Sequence, residues 1–368
     1  MIITDLDTDS TLSEYFNLIG QPFDFLPNTE QPIVEILDHK TKKTSDNIFL
    51  LNFDSVVKIF EQESKFSNIE SLLEKNRLLI HGTNFDVLQV ISHKIDNGSG
   101  FIEWLDNLAP TILVDGFVGD KMKGYLTNCH FYSLEHHFID PKIQPGYYHI
   151  LKKHKPVKNF FCHTILKGRK IGREILKQKL ENKGLFDKGI CRFHTNEDQR
   201  EEFIQSDIND KILGIDLKSY LHQYPAIELY NQTYLEIVVE TLTKLDNDNS
   251  FFITEKTLKP ILMKHPFMIV GPYHHLKNLK LLGFKTFDHF IDESYDECTD
   301  FEHRITKIVN NLCDLEGNYG KFYQDTREIC EFNHRHFLHL QGEHKMRLLE
   351  SFDKFWQNYK GKEDYDRI

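Results

Sequence analysis

The stretch from Phe251 to Pro272 limits the possible folds more than any other part of the chain. It reads as an apolar approach, a helix start, a short helix and a buried strand. Thr254 suits an N-cap, because its hydroxyl can accept from the N–H groups that a first helical turn leaves over. Ile253 and Leu258 fit the apolar pair that staples such a cap. Pro260 lacks an N–H and should shorten or kink the helix. Phe267 to Val270 is an apolar run closed by Gly271, which reads as a buried strand.

Charge makes this helix start chemically interesting. The first turn of a helix carries partial positive charge and unused donors, so it is a natural anion site. Dipole logic favours an acid there, yet Lys256 adds a full positive charge. A lysine in that place points to an anion to be neutralised, such as a diphosphate. Glu255 beside it can accept from ribose or sugar hydroxyls. The same pattern also fits an ordinary strand–turn–helix–strand unit with a surface Glu–Lys pair.

The rest of the chain repeats the alternation. Residues 1–45 are acidic and read as irregular. Short apolar runs at 47–53, 78–81, 111–115 and 129–134 read as strands, and 84–95 has helical periodicity. Asp115 and the Glu135, His136, His137 cluster fall at strand ends. Prolines and lysines between 141 and 158 suggest a linker. A second series follows: a strand at 159–166, a basic helix at 168–183 capped by Gly184, helices near 198–205 and 212–222, the 251–272 unit, a helix at 274–282 and a strand at 284–287. Residues 300–359 are strongly helical. Strands alternating with helices argue for open, mainly parallel α/β sheets. The expected architecture is two Rossmann-like α/β domains, 1–155 and 156–315, with C-terminal helices at 316–368 packing back across them.

Totals narrow the function. The 368 residues carry a net charge of −11, which gives no overall basic footprint for nucleic acid. A local basic strip exists, with twelve Lys or Arg against three Asp or Glu over 152–188. The six cysteines form no C-x-x-C pair and match no zinc or disulfide framework, so they read as reduced. Neither a signal peptide nor an apolar run of membrane length is evident, which leads to the expectation of a soluble, cytoplasmic protein. Asp246 and Asp248 have the Asp-x-Asp form of some metal-dependent transferases. They sit in a polar stretch rather than at the end of an apolar strand, so they read as an exposed turn. There is no H-E-x-x-H, P-loop or G-x-S-x-G.

Three segments together carry a resemblance: Tyr234 to Thr241 with Glu240, Phe252 to Lys256, and Pro266 to Pro272. Their order and spacing resemble the donor-binding motif of the α-1,3-fucosyltransferase family and its viral and bacterial relatives. Lys264 and His265 stand where an Ala-Gly is usual. Arg169 to Arg173, followed by Leu176, Leu180 and Gly184 to Gly189, resembles the family's basic helix opening. The resemblance covers roughly 159–296. It implies a two-domain glycosyltransferase whose domains face a cleft, with a GDP- or UDP-sugar as co-substrate, inversion at the sugar and no obligatory metal. It further implies that Arg173, or else Arg169, binds the donor diphosphate, since an arginine fork suits paired phosphate oxygens.

Sugar transfer needs a stabilised leaving diphosphate, a base for the acceptor hydroxyl and alignment of the two. Lys256, Arg173 and the helix start capped by Thr254 would serve the first. Glu240 and Glu255 are candidates for sugar or ribose hydroxyls. Glu135 is the first candidate base, followed by Asp115 and His137, although each also fits an ordinary loop residue. The acceptor is either a glycan or a hydroxymethylated base of bacteriophage DNA. A non-catalytic nucleotide- or partner-binding protein on the same fold is the alternative.

Overall fold

The computed structural model describes residues 2–5, 23–26, 36–37, 48–62, 73, 77–83, 100–115, 126–134, 154–165, 171–194, 226–240 and 253–365. The protein is α/β, built on two parallel sheets. The chain divides into two compact units, Met1–His137 with Glu343–Ile368, and Phe138–Gly342. The expected helices at 84–95, 198–205 and 212–222, and most of the 141–158 linker, lie outside the described residues.

Unit 1 holds a six-stranded sheet of β1 (Ile2–Thr4), β2 (Phe23–Phe25), β3 (Ile48–Asn52), β4 (Arg77–Thr83), β5 (Thr111–Asp115) and β6 (His130–Leu134). Their order is β2-β1-β3-β4-β5-β6, and every neighbouring pair is parallel. Residues 1–45 therefore contribute two strands that the sequence does not announce. Each has three residues, too few for a period to show. Two helices are described here, α1 (Phe53–Gln62) and α2 (Phe101–Leu108). Phe60 of α1 packs 5.3 Å from both Phe101 and Trp104 of α2.

Unit 2 holds β7 (Phe161–Ile165), α3 (Ile171–Asn182), β8 (Ile190–His194), α4 (Ile227–Gln232), β9 (Glu236–Val239), α5 (Glu255–Leu262), β10 (Phe267–Val270), α6 (His275–Leu281), α7 (Phe301–Asp314) and α8 (Tyr319–Asp325). Its four strands run in the order β10-β9-β7-β8, again all parallel. All four residues of β9 and of β10 are buried, which is why both read as continuous runs without alternation. The chain passes from β7 through α3 to β8 and from β9 through α5 to β10, in opposite directions across the sheet; right-handed crossovers, the general rule, would place α3 and α5 on opposite faces. Helix α7 packs along α3.

The strand expected at 284–287 does not form. Gly283 turns the chain at φ 88°. Beyond it, the N–H of Lys285 donates to Asn333 Oδ1 at 2.8 Å and that of Phe287 to Glu293 Oε1 at 2.7 Å. Side chains thus take the donors that a strand would spend on a neighbour.

The last helix, α9 (Arg327–Tyr365), begins in unit 2 and ends in unit 1. Its Phe352, Phe355 and Trp356 join Ile2, Ile48, Leu50, Leu79 and Leu113 in one core cluster. These five sheet residues share one face by register, so the end of α9 covers that face. No described helix is long and apolar enough to cross a membrane.

Phe352 is fully buried in this cluster. Phe352→Ala should lower the unfolding free energy by about 3–5 kcal/mol through lost burial and the cavity left behind. Chemical denaturation measures it, and a loss below about 1 kcal/mol would mean that the helix end is not seated on the sheet.

Candidate functional site

Ligands of open parallel sheets sit beyond the carboxyl ends of the strands, where the strand order reverses. In unit 2 the reversal falls between β7 and β9, because β8 lies on one side of β7 and β9 with β10 on the other. The chain leaving β7 enters α3, whose third residue is Arg173. The chain leaving β9 passes directly into Glu240. Thr254 then opens α5, followed by Glu255 and Lys256.

Glu240 is completely buried. Its Oε2 accepts from Thr254 Oγ1 at 2.6 Å, and its Oε1 accepts from Thr257 Oγ1 at 2.6 Å and from the Thr254 N–H at 3.2 Å. Thr254 Oγ1 in turn accepts from the Lys256 N–H at 3.2 Å, which is the N-cap expected from the sequence. A hydrogen-bonded chain therefore runs from the end of β9 through Thr254 to the backbone of Lys256. Glu240, a candidate for ligand hydroxyls, spends both carboxylate oxygens on fixing the helix start.

A second layer supports the first. His275, at the start of α6, brings Nε2 to 3.4 Å from Thr257 Oγ1. The Thr257 hydroxyl hydrogen goes to Glu240, so the imidazole is the donor in that contact and carries its proton on Nε2. Burial pushes the His275 pKa down to about 4; nearby Glu240 opposes the shift and Arg304 adds to it. Asp296 closes the start of α6, accepting from the Leu276 N–H at 2.8 Å and the Lys277 N–H at 3.0 Å. Buried Arg304 of α7 donates from Nη1 to the Gly271 carbonyl at 2.7 Å and from Nη2 to that of Cys298 at 2.6 Å. It thereby fixes the turn that leaves β10.

The two expected phosphate ligands flank the reversal from either side. Arg173 is 2% exposed, and its positive charge opposes the upward push that burial gives the Cys162 thiol on β7. Its guanidinium is thus held close to the sheet. Lys256 Nζ pairs with Glu255 Oε1 at 2.6 Å, with side chains 26% and 13% exposed. A half-sheltered pair of this kind leaves the ammonium within reach of solvent and of a ligand.

Arg169, Glu135 and His137 lie outside the described residues, as do Asp246 and Asp248. Asp115 is the last residue of β5, on the carboxyl edge of the other sheet. Among the described residues no group of three or more His, Cys, Asp or Glu could hold a metal ion. The supporting residues His275 and Arg304 escape sequence reading. One is among twenty histidines, and the other sits in an amphipathic helix with no motif around it.

The chain matches no protein-family model and no curated protein.

Two measurements test this network. Thr254→Ala should cost about 1–2 kcal/mol of stability, the value of a lost N-cap. Glu240→Ala should cost more, because it strands three donors. A Glu240→Ala protein as stable as Thr254→Ala would contradict the arrangement. The pH dependence follows from His275, whose pKa lies below its unfolded value of 6.5. Between about pH 6.5 and 4 the unfolded chain binds this proton and the folded one does not, so stability falls as pH falls. His275→Gln should flatten that acid limb by about 3–4 kcal/mol, at about 1.4 kcal/mol per pKa unit. An unchanged limb in a folded variant would show that His275 is not held neutral.

Proposed function

We propose that the protein is a glycosyltransferase that moves a sugar from a nucleotide-diphosphate sugar to an acceptor hydroxyl, with inversion and without an obligatory metal. One observation carries this reading. Arg173 and Lys256 stand on the two helices that follow β7 and β9, on either side of the reversal where an open sheet binds its ligand. Both cations suit the two phosphates of a leaving nucleoside diphosphate. The start of α5, tied down through Glu240 and Thr254, adds oriented backbone donors. Groups held in place before the reaction stabilise developing charge without rearranging, which is where catalytic advantage arises.

Each residue then has a role. Lys256 and Arg173 neutralise the departing diphosphate, with Arg169 as a further candidate on the same approach to α3. Glu255 accepts from a ribose or sugar hydroxyl. Glu240 and Thr254 position the helix start. The base comes from unit 1, from among Glu135, Asp115 and His137. In this reading unit 2 takes the GDP- or UDP-sugar and unit 1 the acceptor, a glycan or a hydroxymethylated DNA base.

A panel of nucleotide sugars tests the reading by thermal stabilisation and by product formation. A donor at a hundred times its dissociation constant should stabilise the protein by about 2.7 kcal/mol. Lys256→Ala and Arg173→Ala should each weaken donor binding by about tenfold to a hundredfold, the value of a charged hydrogen bond, and abolish transfer. Stabilisation without turnover for every donor would favour a non-catalytic nucleotide-binding protein on the same fold. No stabilisation by any nucleotide sugar would end both readings.

A further inference from the structure

Strands β7 and β8 bring two imidazoles against each other. The strands pair in parallel, with His163 opposite Arg192 and Ile165 opposite His194. Side chains alternate along a strand, so His163 and His194 share one face, on neighbouring strands and offset by two residues. Both are half-buried. Their Nε2 atoms lie 3.0 Å apart, whereas the ring centroids are 5.0 Å apart at an interplanar angle of 67°. The rings therefore meet through their Nε2 atoms and do not stack.

Two neutral imidazoles in this contact share one proton, one ring donating and the other accepting. The same convergence is what a metal ion asks of two histidines. Metal–imidazole bonds are about 2.0–2.1 Å long, so an ion bound to both nitrogens across their 3.0 Å separation would see them at about 94°. That is near the right angle of square or octahedral coordination and short of the roughly 109° of tetrahedral zinc. Imidazole nitrogens at right angles suit copper(II) and nickel(II), which also rank high in affinity for nitrogen ligands.

The backbone under the pair is set before any ion arrives, because β7 is paired with β8 on one side and β9 on the other. Cys162 and Cys191 are opposite each other in the same ladder, but alternation puts their thiols on the other face. The two strands thus offer nitrogen rather than sulfur on this face. Arg192 shares the imidazole face and is exposed, so water and salt weaken its repulsion of a cation.

We propose that His163 and His194 form a two-histidine chelate for copper(II) or nickel(II), with water in the remaining positions, which clamps the edge strand β8 to β7. The inference rests on the β7–β8 register and on the meeting of the two rings. It is independent of the donor reading, which asks for no metal.

Nickel(II) alone, added to the full chain and followed by hydrogen exchange, tests it. Nickel(II) should slow exchange in peptides that cover 161–165 and 190–194, and magnesium(II), which prefers oxygen ligands, should not. His163→Gln and His194→Gln should each raise the nickel(II) concentration for half-maximal protection by at least about tenfold, since a direct ligand is worth no less than an outer-shell partner. Glutamine keeps a hydrogen-bonding side chain at a half-buried place, and either folded variant suffices. Other histidines among the twenty can also take up nickel(II), so chelation is read from the double variant. Losing one ligand already breaks a chelate, so the double variant should lose little more than either single one, whereas separate sites give additive losses. Additive losses, unchanged protection in a folded single variant, magnesium(II) protection of the same peptides, or no nickel(II) protection there would each overturn the proposal. Failure of the donor reading is seen instead in nucleotide-sugar stabilisation and in the Lys256 and Arg173 variants.

Discussion

A carboxylate out of water needs donors to replace its hydration, and burial without them is strongly unfavourable. Glu240 meets that requirement with two threonine hydroxyls and one backbone N–H, all from the first turn of α5 or its cap. The consequence is geometric. The end of β9 and the start of α5 cannot separate without stranding a buried charge, so the helix start is fixed against the sheet. Lys256 inherits its place from this bond, because its own backbone N–H is the donor to Thr254. The neutral His275 and the buried Arg304 extend the same rigid layer to α6 and to the turn after β10. On the proposed reading, a cationic site built on such a layer would be held ready rather than assembled around its ligand.

Strand β9 also shows how position decides the behaviour of one residue type. Glu236 opens the strand and Glu240 follows its end, four residues apart and both buried. Glu236 accepts from Tyr230 Oη at 2.7 Å, and burial pushes its pKa up to about 8. Tyr230 is in turn T-stacked on His265 at 5.2 Å. The carboxyl edge instead carries the hydrogen bonds between Glu240 and Thr254 and the start of α5.

Local features were legible in the sequence. The Thr254 cap, the left-handed Gly184 after α3 and the strands at 111–115 and 267–270 each follow from side-chain chemistry within a few residues. Features that depend on distant partners were not. The strand orders, and with them the reversal in unit 2, arise from pairings between segments far apart, such as β1 with β3. The three-residue β1 and β2 carry too little pattern to be seen. The misread strand at 284–287 has the right apolar residues, but Asn333 and Glu293 capture its backbone donors from elsewhere in the chain. The role of Glu240 was partly readable. Its place at a strand end was visible, whereas the threonines that occupy it became evident only once the helix start was in position.

The most direct test of the central claim is a crystal structure of the protein with a guanosine or uridine diphosphate bound. The account predicts phosphate oxygens beyond the carboxyl ends of β7 and β9, within hydrogen-bonding distance of Arg173 and of the ammonium or backbone N–H groups at the start of α5. A diphosphate bound away from that edge, with Arg173 and Lys256 unmoved and uninvolved, would contradict it.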